Sequence, residues 1–315
     1  MDIRTSGTHN FGVPNIFLGV SKTCVVLAAV AALSSCATTA PAADDRPLVL
    51  TTFTVLADMA RNVAGEHVRV ESITKVGAEI HGYEPTPGDL RHAADADLVL
   101  DNGLGLERWF EQFLADTRAE HAVLSDGVVP LRIGEDAYAG RTNPHAWMSP
   151  LNARIYVDNI SAALTRIAPE HAADFTANAA AYKDDLQIVH DELLSGLAEL
   201  PEQQRALVTC EGAFGYLTRD AGLREAYLWA INADQQGTPQ QIARTVDFVR
   251  DNRVPAVFCE STVSDKAQRQ VAEDTGARFG GILYVDSLSE PDGPVPTYLD
   301  LLRHDVRTIT KGLAA

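Results

Sequence analysis

Residues 169–201 read PEHAADFTANAAAYKDDLQIVHDELLSGLAELP, the longest helical pattern in the chain. Ala172, Phe175, Ala179, Tyr182, Leu186, Val189, Leu193, Leu197 and Leu200 recur at spacings of three or four, so they share one face, and Pro201 stops the run. About 30 helical residues rising 1.5 Å each give roughly 45 Å. A helix of that length can lie along an entire two-domain protein. The flanking sequence favours this over a core helix of one domain, because strand and helix patterns alternate before it and the alternation restarts after it.

Upstream, strand patterns at Leu48–Phe53, His67–Ile73, Asp97–Leu100 and Ala122–Leu124 alternate with helical ones. The helices are Thr54–Gly65, a short one after Thr86-Pro87, Leu104–Thr117 and Pro150–Ile167. Downstream, strands are expected at Ala206–Cys210, Ala226–Trp229, Ala256–Cys259 and Gly280–Val285. Helices are expected from the capping box Thr238-Pro239-Gln240-Gln241 to Asp251, over Asp265–Gly276 and over Thr297–Lys311, with a polar loop at Asp234–Gly237. This alternation predicts an α/β protein of two lobes, each a mostly parallel sheet flanked by helices, joined by one long rigid helix. The expected divisions are an N-terminal lobe over 48–168, the linking helix over 169–200 and a C-terminal lobe over 201–315. Asn102-Gly103-Leu104-Gly105-Leu106 has the look of a dinucleotide loop but lacks the third glycine at the required spacing.

The chain of 315 residues has ordinary globular composition, with 46% hydrophobic and 22% charged residues. Its net charge of -17, with no long basic run, argues against nucleic acid and anionic lipid surfaces as partners. Near the start, Lys22 precedes the apolar run Val25–Leu33. A bilayer span takes about 20 residues, so this run is short for one and fits a signal-peptide core. It ends in Leu33-Ser34-Ser35-Cys36, which resembles a bacterial lipobox. Residues 1–35 are therefore expected to be a lipoprotein signal peptide, Cys36 the acylated first mature residue, and 36–47 a flexible tether. Cys24 falls in the removed segment. Outside the cytoplasm the remaining cysteines, Cys210 and Cys259, can pair or persist as buried thiols, and neither has zinc-thiolate spacing.

Two histidines sit in loops that end at helix starts. His81 precedes Thr86 as N-cap, Pro87 at the first helical position and Asp89 three residues after the cap; His145 precedes Ser149-Pro150. Two carboxylates, Glu211 and Asp286, follow strands of the second half. Ligands of open α/β sheets gather at the carboxyl ends of strands. Imidazole suits zinc, copper, iron and nickel, and carboxylate oxygen suits harder ions such as manganese. Together His81, His145, Glu211 and Asp286 predict a mixed nitrogen and oxygen site leaning to Mn(II) or Fe(II). Glu260, also at a strand end, either orients a ligand or a backbone amide from behind or caps a helix. Trp147 and Trp229 read as packing near the cleft, and His67, His92, His121, His171, His190 and His304 as surface or packing residues.

Longer motifs carry a family resemblance: AEIHGYEPTPGDL (78–90), LVLDNGLGLERWFEQF (98–113), NPHAWMSP (143–150), CEGAFGYL (210–217), LWAINADQQGTPQQI (228–242), ESTVSDKAQRQVA (260–272), LYVDSLS (283–289) and DGPVPTYLDLLR (292–303). Over about Leu48 to Thr310 the chain resembles the metal-binding lipoprotein solute receptors of manganese, zinc and iron ABC importers, and within them the manganese and chelated-iron branch. The resemblance implies one divalent ion between two lobes, held by His81, His145, Glu211 and Asp286. Zinc-selective relatives usually have histidine at the third position and often a histidine-rich loop; here Glu211 stands there and residues 127–142 contain no histidine. Cys210 stands where many relatives have serine. The resemblance further implies a non-enzymatic, monomeric receptor, anchored outside the cytoplasm through Cys36, that delivers Mn(II), or else Fe(II) or Zn(II), to a permease and its ATPase. Two competing readings are a secreted metalloenzyme built on two histidines and a carboxylate, and a surface adhesin. The first lacks a separate general base, and the second lacks a repeat or aromatic patch.

Overall fold

The computed structural model describes residues 44–110, 117–134, 138–231 and 237–314. The signal peptide, Cys36, most of the tether, much of the helix read over 104–117 and most of the loop at 234–237 lie outside the described residues. Four strands of the first half, β1 (Leu48–Thr51), β2 (Arg69–Ser72), β3 (Leu98–Asp101) and β4 (Glu120–Val123), form a parallel sheet in the order β2-β1-β3-β4. The inner strands LVLT and LVLD are buried at every position, whereas the edge strands RVES and EHAV are half-buried or exposed. This is the burial that continuous apolar runs and mixed runs call for in a covered parallel sheet.

Helix α1 (Thr54–Ala64) covers the sheet and ends at Gly65, whose φ of 60° suits a residue without Cβ. Helix α2 (Pro87–Ala94) starts at the expected capping box: Thr86 Oγ1 accepts from Asp89 N, and the Asp89 carboxylate accepts from Thr86 N. Helix α3 (Pro150–Ile167) begins at its Ser149 cap.

The long helix α4 spans Ala172–Leu197, 26 residues, after a 3-10 turn at Pro169–His171. At 1.5 Å per residue it measures about 39 Å, shorter than expected because the proline-led first turn is too tight to be α-helical and residues 198–200 already form the turn before Pro201. Phe175, Ala179, Tyr182, Leu186, Val189, Leu193 and Leu197 are buried as their spacing predicts. The helix packs against α1 and α3 on one side of the molecule and against the last helix, α8 (Tyr298–Leu313), on the other.

In the second half, β5 (Ala206–Glu211) pairs in parallel with β6 (Arg224–Trp229), and β7 (Ala256–Glu260) with β8 (Arg278–Leu283). The helices are α5 (Gly215–Ala221), α6 (Pro239–Asn252) and α7 (Lys266–Thr275). β5 and β7 are neighbours, yet they belong to separate two-stranded ladders. A Cys210–Cys259 disulfide joins them, with Cα atoms 4.9 Å apart, deciding between bond and thiols. β8 carries an irregularity opposite Val257/Phe258 and ends at Leu283 rather than at Val285. A Cβ on Gly280 would come within 2.3 Å of Phe258, so only glycine fits this crossing.

Both halves share one apolar core. The main cluster of buried side chains runs from Val49 and Leu98 through Phe175 and Leu186 to Val257, Ile309 and Leu313. Residues Asp45–Ala315 accordingly form one compact unit. A smaller cluster of Leu48, Leu50, Ile73, Ala93, Val99 and Phe110 fills the other face of the first sheet.

Candidate metal centre

His81, His145, Glu211 and Asp286 come together, and one ligand atom from each lies within 4.8 Å of the others. His81 Nε2 is 2.9 Å from His145 Nε2 and 3.3 Å from Glu211 Oε1; His145 Nε2 is 3.7 Å from the same oxygen. His145, Glu211 and Asp286 are buried, and the His81 side chain is 7% exposed.

Each donor is aimed by its own loop. Glu79 folds back over the His81 turn, its two carboxylate oxygens accepting from the His81 and Gly82 amides at 2.8 and 3.0 Å. Asn143 aims His145. Its Nδ2 donates to the Gly212 carbonyl (2.7 Å), which turns Oδ1 towards the ring, and Oδ1 accepts from His145 Nδ1 at 2.8 Å and from His145 N at 3.0 Å. An amide oxygen cannot donate, so Nδ1 carries the proton and the Nε2 lone pair faces the other donors. Below this loop, Asn102 Nδ2 donates to the Pro144 carbonyl. Asn102 is in turn held by Tyr156 Oη and by buried Glu107, which accepts from the Asn102 and Gly103 amides and from Thr52 Oγ1.

On the carboxylate side, Glu260 Oε2 accepts from Glu211 N at 3.1 Å. Glu260 is fully buried, and burial pushes its carboxyl up to about 8. The bond supports a role for Glu260 in orienting the backbone amide of Glu211. The disulfide lies directly before both Glu211 and Glu260. Asp286 is the third residue past the end of β8. Its Oδ2 is 3.5 Å from Thr262 Oγ1, and its Oδ1 is buried without a hydrogen-bond partner.

Three bonds tie the histidine loops to the carboxylate loops: Gly77 N to Ser287 Oγ (2.6 Å), Trp147 Nε1 to the Val285 carbonyl (3.1 Å), and the Asn143–Gly212 bond. Trp147 is thus both packing, as expected, and a strut beside His145, whose ring lies 5.2 Å from its own. Trp229 is buried with it in the core. Sequence reading missed Glu79 and Asn143, although each sits two residues before a candidate histidine, a spacing at which a side chain reaches the next turn.

Burial also sets the charges. It pushes His81 down to about 4, against the charge of Glu79, and holds His145 well below the ordinary imidazole range, helped by the His81 ring. Both rings are neutral at pH 7, the form that binds metals. Burial, with the Glu79 charge adding to it, raises Asp286 to about 8. Two neutral imidazoles and two carboxyl groups in an enclosed space form a donor set for one divalent ion.

Among known proteins, the chain is 50% identical over 291 residues to the iron-binding protein YfeA of Yersinia pestis, spanning 90% of this chain and 94% of that one. It is 34% identical over 292 residues to the manganese-binding lipoprotein MntA of Halalkalibacterium halodurans, spanning 92% and 96%. Its fold matches the Mn-bound periplasmic metal binding protein of Candidatus Liberibacter asiaticus with a TM-score of 0.80 at 37% identity, covering 85% of this chain and all of the other. Residues 49–312 match the profile of the periplasmic zinc-uptake complex component A, ZnuA, and the chain belongs to that family.

Proposed function

We propose that the protein is the extracytoplasmic binding component of a metal ABC importer, and that His81, His145, Glu211 and Asp286 hold one divalent ion as its cargo. The observation that carries the reading is the convergence of these four side chains, with two neutral imidazoles, from loops of both halves. Mn(II) is the favoured cargo, with Fe(II) next, because half the donors are carboxylates. The relatives named for manganese and for iron support the same choice. Zn(II) binds such donors at least as strongly by the divalent affinity order, so selection among ions rests on supply, geometry and release.

The lobes of this receptor are residues 48–168 and 201–315, with 169–200 between them. It acts as a monomer, tethered through a lipidated Cys36, and passes the ion to a permease and its ATPase. It carries out no catalysis: four protein donors close around the ion in an enclosed space that leaves little room for a substrate, and among the described residues no separate general base stands beside them.

Exchange of the purified chain into Mn(II), Fe(II) or Zn(II), followed by metal analysis and thermal unfolding, tests the reading. One bound equivalent is expected, and an ion at 100 times its Kd adds about 2.7 kcal/mol. No shift with any divalent ion sinks it.

A further inference from the structure

A second group of metal-ligating side chains lies outside the quartet, at the start of α4. His67 follows the C-terminus of α1, and His171 and Asp174 belong to the turn that opens α4. His67 Nε2 is 3.0 Å from Asp174 Oδ2. The His67 and His171 rings stack with centroids 3.8 Å apart and planes 17° apart. One ligand atom from each of the three residues lies within 4.8 Å of the others.

This is more than a chance meeting of surface groups, because the frame beneath it is rigid. Phe175, fully buried in the core, presents its ring edgewise to both imidazoles, at 5.8 and 6.2 Å. Asn178, one turn further along α4, donates to the Val63 carbonyl at 3.1 Å and ties α4 to the end of α1. Asp174 lies in the first helical turn, where the helix dipole favours a carboxylate. Solvent reaches the donors, with side-chain exposures of 31% for His67, 34% for His171 and 60% for Asp174.

We propose that His67, His171 and Asp174 form a second, surface-facing site for one borderline transition ion, Zn(II), Cu(II) or Ni(II). One of the two partly exposed rings turns out of the stack so that two imidazole nitrogens and one carboxylate oxygen converge on the ion, and water completes its shell. The donor balance differs from that of the enclosed quartet: nitrogen outweighs oxygen, so ions late in the divalent affinity order are favoured and Mn(II) is a poor ligand-exchange competitor. The bound ion staples the turn after α1 to the first turn of the long helix. The proposal does not depend on the cargo reading.

Zinc binding to the full mature chain, followed by calorimetry and dialysis, tests it. The wild type is expected to lose one Zn(II) equivalent on the double change His67→Ala and His171→Ala. Glu211→Gln with Asp286→Asn should leave that equivalent in place. With His81→Ala and His145→Ala added to this background, Cu(II) should show electron-spin coupling to two imidazole nitrogens, absent after the further His67→Ala and His171→Ala changes. Asp174→Asn, nearly isosteric on an exposed side chain, guards against misfolding of the double variant. It should weaken the same equivalent by at least about tenfold, the loss that even outer partners of metal ligands produce. Zinc binding unchanged by both the double variant and Asp174→Asn overturns the proposal, whatever its stoichiometry. If only the quartet reading is wrong, the Glu211→Gln and Asp286→Asn changes remove nothing while the His67→Ala and His171→Ala changes still do.

Discussion

At Glu211 a carboxylate oxygen lies 3.3 Å from one imidazole nitrogen and 3.7 Å from another, and the family resemblance implies histidine at this position in zinc-selective receptors. Glu211→His should therefore keep divalent binding and shift preference towards zinc, read as the ratio of Mn(II) to Zn(II) affinities; an unchanged ratio counts against Glu211 as a donor. Asp286 makes a different prediction. Its carboxyl sits at about 8, so at pH 7 it is largely protonated and must release that proton to bind an ion. Metal binding at pH 7 should release close to one proton, and affinity should climb until pH passes about 8. Calorimetry in buffers of different ionisation enthalpy measures this, and Asp286→Asn should abolish the release. The four converging side chains were readable from sequence as candidates, because helix-start and strand-end loops have local signatures. Their aiming was not. The tautomer of His145 depends, through Asn143, on a Gly212 carbonyl 69 positions from that asparagine, and no local pattern encodes that approach.

Among the elements, β5 and β7 are the pair that the disulfide holds together at the end where Glu211 and Glu260 emerge. The bond closes a loop of 49 residues, worth about 4 kcal/mol in the chain-entropy account. Cys210→Ser with Cys259→Ser should lower stability by a few kcal/mol and also weaken metal binding, because the Glu211 amide and its Glu260 acceptor lose their common anchor. Denaturant unfolding and metal titration of the same variant check both; lost stability with unchanged affinity would restrict the bond to a structural role. A smaller test is Thr86→Ala, which removes the α2 cap after the His81 loop and should cost about 1 kcal/mol. Element types were legible from apolar spacing and caps. The irregularity of β8 at Gly280 was not, because it goes with the close approach of Phe258, a tertiary contact.

For the whole molecule, the raised and lowered groups predict the pH course of stability without metal. Asp286 and Glu260 hold protons in the folded chain that the unfolded chain releases near its ordinary carboxyl values of 3.8 and 4.5. Their contribution is complete below about 4 and is lost as pH rises through about 8. His81 works the other way: its contribution is present above 6.5 and is lost as pH falls towards about 4. Below 6.5 the trends oppose; between about 6.5 and 8 the carboxyl loss remains and His121, raised by its bond to Asp101, loses its contribution in the same direction, so stability should fall with rising pH there. Saturating metal should flatten that slope, because the bound ion takes the place of the Asp286 proton and leaves only the Glu260 and His121 losses. Thermal unfolding across this range, with and without the ion, measures it.

The unbroken core has a bearing on time as well as on energy. A hinge that swings two bodies apart needs an interface that can part, and here the apolar cluster passes straight through both halves along α4. Of the four donors, only His81 also lines the open cavity of about 780 Å³ beside Tyr83, Trp109 and Arg108. It rides on a stretch between β2 and α2 without regular structure. On the proposed reading, the cheapest way out for the ion is a local one, in which this short segment lifts and takes a single donor with it. Residence time would then be a property of some dozen residues rather than of the whole fold, and a permease would need to press on only that segment to hasten delivery.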